Sequence, residues 1–223
     1  MKRKTLTLLL TVTLSALPLI LPAQTPEYSL RSSINIGFKI TNGLKVELAP
    51  EFRYDPDLKT NSLLIQGGLN YRIAPWLSVG GYYRLNGSKV QDNESVSGTS
   101  FDYSNRFALD TDAKISLKRF TPGFRLRFCN FTDFDSQTDD KTNYLRYRFG
   151  LDYNIKGVKF TPYATVEFYQ KLSTGLFSKS RYTIGADYEF NKKNALSAGY
   201  SFANKFKSET NCHIFELSYK IKF

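Results

Sequence analysis

The end of the chain, residues 213–223, alternates with a period of two between apolar and largely polar side chains. The apolar or aromatic positions are His213, Phe215, Leu217, Tyr219, Ile221 and Phe223. Because successive side chains of a β-strand point to opposite faces, this pattern predicts a strand with one apolar face. The fold must therefore place a two-faced strand at the end of the chain, with an aromatic residue as its last.

The same alternation recurs in ten earlier segments. The predicted strands cover 30–40, 44–54, 63–73, 77–85, 101–117, 124–129, 145–155, 158–169, 182–190 and 196–202. Short breaks that include 41–43, 121–123 and 156–157 alternate with longer ones, of which 86–100 is the longest. Short turns on one side and longer loops on the other are typical of membrane barrels. Eleven segments conflict with the even strand numbers of bacterial single-chain barrels, so both ten and twelve strands stay open.

The first residues predict a secretory signal peptide. Lys2, Arg3 and Lys4 precede an apolar run over 5–21, and the small residue Ala23 marks the expected cleavage site. An anchoring helix is the alternative, but Pro18 interrupts a run that is already short of the ~20 apolar residues needed to span. We therefore expect a leader over 1–23 and a single barrel domain over 24–223.

Composition limits how the mature chain can meet a membrane. Hydrophobic residues make up 41% and the mean hydropathy is −0.36, so no second apolar run can form a spanning helix. A barrel escapes this limit because only alternate residues face lipid. The formal charge of +11 is compatible with nucleic-acid binding, but the export signal and the lack of a recognised motif argue against that partner.

Together these patterns predict an all-β fold: an antiparallel transmembrane β-barrel of ten to twelve strands in the outer membrane of a Gram-negative cell. Its expected surroundings are outer-membrane lipid and lipopolysaccharide. A soluble barrel or sandwich with the alternation inverted is the alternative, since it also has period-two strands. The leader, the uneven breaks and the aromatic terminus favour the membrane form. The pattern leaves the oligomeric state open.

The terminal strand resembles the closing strand of bacterial outer-membrane barrels. In those proteins this segment is also read by the barrel-assembly machinery during insertion. The resemblance implies that the insertion signal consists of Phe215, Leu217, Tyr219, Ile221 and Phe223.

Four internal segments carry a second resemblance. They are Ser104-Asn105-Arg106-Phe107, Phe124-Arg125-Leu126-Arg127-Phe128, Asn143-Tyr144-Leu145-Arg146-Tyr147-Arg148, and the stretch from Pro162-Tyr163 to Glu167-Phe168-Tyr169. They resemble a family of outer-membrane proteins catalogued as domain of unknown function 2490. The resemblance covers most of the mature chain. It implies a barrel in the cell envelope and supplies no catalytic residue.

If the apolar face meets lipid, the charged face lines the interior of the barrel. The candidate lining residues are Arg106, Arg125, Arg127, Arg146, Arg148, Arg181, Asp110, Asp112, Asp152, Glu167 and Asp187. One interpretation is a narrow pore that favours anions, because guanidinium groups pair with carboxylates and phosphates. The other is a closed interior in which arginines and carboxylates satisfy one another.

Other functions depend on residues near the loops. His213, the only histidine, makes a lipid- or peptide-hydrolysing enzyme the runner-up, although its place on the lipid face favours an interfacial aromatic. The long segment 86–100 suggests an adhesin. The acidic loop 133–140 matches no calcium motif, and no cofactor is expected. Cys129 and Cys212 both fall on the interior face, on strands too far apart for a disulfide to be favoured. The preferred role is structural or transport-related, without catalysis.

Overall fold

The structure is a computed structural model that describes residues 25–56, 60–91, 99–133, 141–206 and 210–223. The predicted leader over 1–23 lies outside these residues, as does most of the acidic loop. Eleven strands make up the fold: β1 (Thr25–Lys39), β2 (Leu44–Asp55), β3 (Thr60–Ala74), β4 (Leu77–Gln91), β5 (Thr99–Lys114), β6 (Phe120–Asp133), β7 (Lys141–Tyr153), β8 (Phe160–Lys171), β9 (Phe177–Glu189), β10 (Asn194–Lys205) and β11 (Thr210–Lys222). In the described part of the chain no helix is long and apolar enough to cross a membrane.

Each strand pairs with the next in sequence, and β1 pairs with β11 to close a barrel. All consecutive pairs are antiparallel, whereas β1 and β11 are parallel, from Thr25 opposite Thr210 to Gly37 opposite Lys222. Closure removes the free sheet edges whose backbone groups would otherwise lack partners in lipid. The predicted antiparallel barrel is thus confirmed, with one parallel pair at its closing point.

The strand count lies within the predicted range of ten to twelve, but the expectation that it is even is wrong. Eleven strands build the described wall, and β1 hydrogen-bonds to a neighbour on both sides. An odd number of alternating strands forces the first and the last to run in the same direction. The parallel pairing of β1 with β11 is therefore a geometric consequence of the eleventh strand.

Large apolar side chains cover the outside of the wall. Leu69, Leu109 and Ile184, near the middle of their strands, have exposed fractions of 54%, 49% and 64%. The buried residues of the interior are mostly small or polar, such as Ala108, Ser197 and Ser201. An apolar exterior around a polar interior is the reverse of a water-soluble barrel and matches a wall that faces hydrocarbon.

Several strands extend beyond their predicted ends. The break predicted over 86–100 is too long, because β4 continues to Gln91 and β5 begins at Thr99. The turn predicted at 121–123 is also wrong, since these residues lie in β6 and the chain reverses over 115–119. There Leu117 pairs with Phe120, and Lys118 takes a positive φ of 56°. Pro122 fits the ladder because it contributes its carbonyl oxygen, 3.1 Å from the Ile115 nitrogen.

The connections divide between two rims. The turn rim carries 40–43, 75–76, 115–119, 154–159 and 190–193, together with Phe223. The loop rim carries 172–176 and the strand ends Asp55, Thr60, Gln91, Thr99, Asp133, Lys141, Lys205 and Thr210. Because β1 is parallel to β11, Thr25 lies at the loop rim beside Thr210. The two ends of the barrel sequence thus leave the wall at opposite rims.

Candidate functional site

The structure places all eleven candidate lining residues on the interior side of the wall. Each alternates along its strand with outward-facing apolar residues, and all eleven are at least half-buried. Asp110 and Glu167 are buried, and the other nine are half-buried. The interior is therefore a charged compartment, and its function depends on which of these charges are paired.

Arginines lie directly opposite one another at four places in the wall. The register pairs are Arg31–Arg53, Arg84–Arg106, Arg125–Arg148 and Arg127–Arg146. Like charges placed directly across a strand pair repel one another, so this arrangement is unfavourable unless anions lie nearby. The sequence thus places arginines opposite arginines on the interior face, instead of placing acids opposite them on both neighbouring strands.

Acids on β5 neutralise the two arginines of β6. Asp112 lies opposite Arg125 and accepts from its Nε at 2.7 Å, and Asp110 lies opposite Arg127 and accepts from Nε at 2.5 Å and from Nη2. The Asp110 side chain has no solvent exposure. Charge-assisted bidentate pairs of this kind hold both side chains in one geometry and stiffen the wall.

A second network joins β7 and β8. The Arg146 guanidinium donates from Nη2 to both carboxylate oxygens of Glu167 at 2.9 Å, and Tyr169 donates its hydroxyl to Glu167 at 2.7 Å. On the far wall, Glu51 pairs with Arg53 at 2.6 Å and with Arg84 at 3.4 Å. These contacts leave Glu51 and Glu167 no free charge to offer other cations.

Of the candidate lining arginines, Arg106, Arg148 and Arg181 have no carboxylate within 4.0 Å among the described residues, and the same holds for Lys179. The Nε atoms of Arg106 and Arg181 are buried and lack a hydrogen-bond partner in the described part. A buried donor without a partner is costly, so a native structure that retains two at one site suggests an external acceptor.

These charges surround a cavity of about 420 Å³ inside the barrel, which we call the cationic cavity. Its cationic lining consists of Arg31, Arg53, Arg84, Arg106, Arg127, Arg146, Lys179, Arg181 and Lys220, and its acidic lining of Glu51 and Glu216. Hydroxyl groups of Ser33, Tyr163, Ser197 and Ser218 also line it. Nine cations against two carboxylates give the cavity a strong excess of positive charge, even though Asp110, Glu167 and Asp187 pair with three of the nine from outside the lining.

Five of the nine cations were absent from the predicted set: Arg31, Arg53, Arg84, Lys179 and Lys220. The signal for Arg31 and Arg53 was present, because each alternates with apolar residues as the predicted arginines do. Lys179 lies between the strands predicted over 158–169 and 182–190, where no alternation was assigned, so its register was missed. Arg125, Arg148 and Asp152 line a smaller cavity towards the turn rim instead.

His213 lies on the outer face, as expected from its register. Its Nδ1 is 2.7 Å from the Tyr200 hydroxyl, and its ring stacks on Tyr28 at 5.4 Å between centroids. Cys129 and Cys212 are free thiols. Among the described residues, no group of three or more His, Cys, Asp or Glu side chains could hold a metal ion. The candidate functional site is therefore the polar interior.

Residues 29–212 match the model of the family described as "Protein of unknown function (DUF2490)". The chain belongs to this family. No curated protein matches the sequence. Among solved structures, the KdgM porin has 13% identity and a TM-score of 0.50, with 78% of this chain and 89% of that chain covered. The β domain of the Bordetella autotransporter BrkA has 14% identity and a TM-score of 0.52, with 83% and 84% covered.

Both solved structures share the fold with this member of the family and little of its sequence. At this level of identity the likeness establishes the architecture of an outer-membrane β-barrel and nothing about solutes. The function of this family member therefore depends on the side chains of its interior.

Proposed function

We propose that the protein is a barrel of the outer membrane that passes small anionic solutes through its interior. The observation that carries this proposal is the cationic cavity, with nine cations and two carboxylates in its lining. Rings of Arg and Lys are how anion pores attract their solutes and exclude cations.

The location is supported by the outer surface and by the fold. Exposed apolar side chains such as Ile65, Leu109 and Phe149 surround a polar interior, which suits a hydrocarbon environment. The fold is shared with a porin and with an autotransporter domain. The predicted leader supplies a route of export to this membrane.

The ion pairs explain how the interior can be both charged and stable. The pairs of Asp110 with Arg127 and of Glu167 with Arg146 fix part of the wall. Arg106, Lys179 and Arg181 keep their charge available to a solute. A fully neutralised interior would offer anions no attraction, and a fully unpaired one would destabilise the fold.

Conductance of the purified, refolded protein in planar lipid bilayers tests the proposal. Under a KCl gradient we expect discrete current steps and a reversal potential displaced towards that of chloride. The double variant Lys179→Gln, Arg181→Gln should move the reversal potential towards zero, because it removes two uncompensated charges. Absence of current from correctly inserted protein, or selectivity for potassium, would refute the anion pore.

We also propose that the outer face of β11 carries the insertion signal. Phe215, Leu217 and Phe223 are exposed on that face, and the Phe223 ring stacks on Phe38 at 5.1 Å between centroids. Deletion of Phe223 should lower the yield of folded barrel in cells, measured by heat-modifiable gel migration. An unchanged yield would remove the role assigned to this residue.

A further inference from the structure

Three cations surround the ring of Tyr169 inside the cationic cavity. The Arg146 guanidinium carbon lies 4.6 Å from the ring centroid, the Lys179 Nζ 4.3 Å and the Arg181 guanidinium carbon 5.9 Å. Tyr169 itself is 8% exposed. One buried aromatic ring therefore brings three positive charges into a single small region of the wall.

The acids nearby do not balance this charge. Glu167 is held by Arg146 and by the Tyr169 hydroxyl, although Arg181 is its register partner on β9. Lys179 and Arg181 have no carboxylate within 4.0 Å among the described residues. Two cationic groups therefore remain without a paired carboxylate beside this ring.

Arg106 adds a third uncompensated cation to the same cavity. It lies opposite Arg84 in the register, and its buried Nε donates to no acceptor in the described part of the chain. The buried Nε of Arg181 is likewise without an acceptor there. Cations gathered in the lining of one cavity repel one another, and an anion bound between them relieves that repulsion.

The rest of the cavity can hold the body of a solute. Its volume of about 420 Å³ is within the range of small-molecule sites. The Tyr163 hydroxyl and Ser197 lie beside Gly199, and a Cβ on Gly199 would lie only 2.9 Å from that hydroxyl. Glycine at this position therefore leaves room for the tyrosine, whose hydroxyl adds a neutral hydrogen-bonding group to the cavity.

We infer that Arg106, Lys179 and Arg181 form a discrete binding site for a multivalent oxyanion. The ligand class is a small molecule with at least two phosphate or carboxylate groups, because one monovalent anion would leave most of the positive charge unbalanced. Guanidinium groups bind both types of oxyanion with two parallel hydrogen bonds. The inference rests on the proposed function for its setting, since it names the class of solute that such a pore would favour.

Calorimetric titration of the refolded protein in detergent at constant ionic strength tests this site. Inorganic triphosphate and citrate serve as the two multivalent probes, and acetate as the monovalent one. We expect saturable binding of one multivalent anion per barrel, and no saturation by acetate at the same concentrations. A preference for triphosphate would assign the site to phosphorylated solutes, and a preference for citrate to polycarboxylates.

Two variants and one control connect binding to the named residues. Lys179→Gln and Arg181→Gln should each weaken binding about tenfold, as expected for the loss of one charge-assisted contact. Lys205→Gln is the matched control, because Lys205 pairs with Glu27 at 2.9 Å and lies outside the cationic cavity. Heat-modifiable gel migration establishes that each variant is folded.

The outcomes separate this inference from the pore itself. Anion-selective current without saturable binding would overturn the discrete site and leave the pore intact. Saturable binding without current would support the site and refute conduction. Equal binding by all three variants, or acetate that saturates as well as citrate does, would show charge screening instead of a site and would overturn the inference.

Discussion

Asp110 and Arg127 face each other across β5 and β6, and their side chains pair inside the barrel where the Asp110 carboxylate is fully shielded from solvent. Removing one partner of a buried pair leaves the other charge uncompensated, which typically costs about 3–5 kcal/mol. Arg127→Gln should therefore destabilise the barrel by about 3 kcal/mol, at the lower end, because Arg125 remains 3.7 Å from Asp110. Urea titration of the protein folded in lipid vesicles measures this change.

Lys114→Gln is the control for that variant. Lys114 pairs with Asp152 at 3.5 Å, but its side chain is 59% exposed. Exposed ion pairs contribute about 0–1 kcal/mol, so the urea midpoint should hardly move. Equal losses in the two variants would show that burial does not determine the strength of these pairs.

Two adjacent glycines of β3 should respond differently to the same substitution. A Cβ on Gly68 would lie 2.2 Å from Cδ1 of Tyr82 and 2.8 Å from the Gly81 carbonyl oxygen, whereas a Cβ on Gly67 meets nothing within 4 Å. Overpacking costs about 1–3 kcal/mol, so Gly68→Ala should destabilise by that amount. Gly67→Ala should leave the free energy of unfolding nearly unchanged. A neutral Gly68→Ala would mean that the Tyr82 ring moves freely in the interior.

A charged substitution on the outer face should destabilise the folded barrel most near the middle of a strand. Ile184 is 64% exposed near the middle of β9, whereas Leu117 lies in the β5–β6 turn. Ile184→Lys should destabilise the folded barrel in vesicles by about 2–4 kcal/mol, and Leu117→Lys by about 0–1 kcal/mol. If Ile184→Lys proved harmless in vesicles, this face would not contact hydrocarbon.

The parallel pairing of β1 with β11 predicts which side of the membrane the start of β1 occupies. A short epitope inserted directly before Thr25 should be accessible on the same side as one inserted at Thr174, in the β8–β9 loop. An epitope at Lys156, in the β7–β8 turn, should be accessible only from the opposite side. Antibody binding to intact and permeabilised cells makes the comparison. Accessibility shared by the Thr25 and Lys156 epitopes would contradict the eleven-strand closure.

Strand direction and facing were predictable from the sequence because they depend on local alternation. The prediction failed where alternation fades, as in the continuation of β4 over 86–91. There Gly87 and Lys89 replace apolar residues outside, while Asn86 and Ser88 hydrogen-bond in the interior with Ser104 and Ser62. Where the outer residues of a strand are no longer apolar, the alternation in the sequence disappears although the strand still pairs with its neighbours.

The pairing of the interior charges was less predictable than their facing. Arg148 lies directly opposite Glu167, yet Glu167 binds Arg146 one position along the interior face. Long guanidinium side chains reach diagonally, so register alone does not decide which arginine is neutralised. Arg181 is also a register partner of Glu167, so its lack of a paired acid follows from this diagonal contact and is visible only in three dimensions.

The parallel closure also makes the chain resistant to circular permutation. The start of β1 and the end of β11 are separated by the length of thirteen paired residues, on the order of 40 Å at ~3.3 Å per residue. In a barrel with an even number of strands, a few residues could join the two ends on one side of the bilayer. Here a tether would have to cross from one rim to the other, either as an added strand of the wall or through the cationic cavity, so a short linker cannot join the two ends.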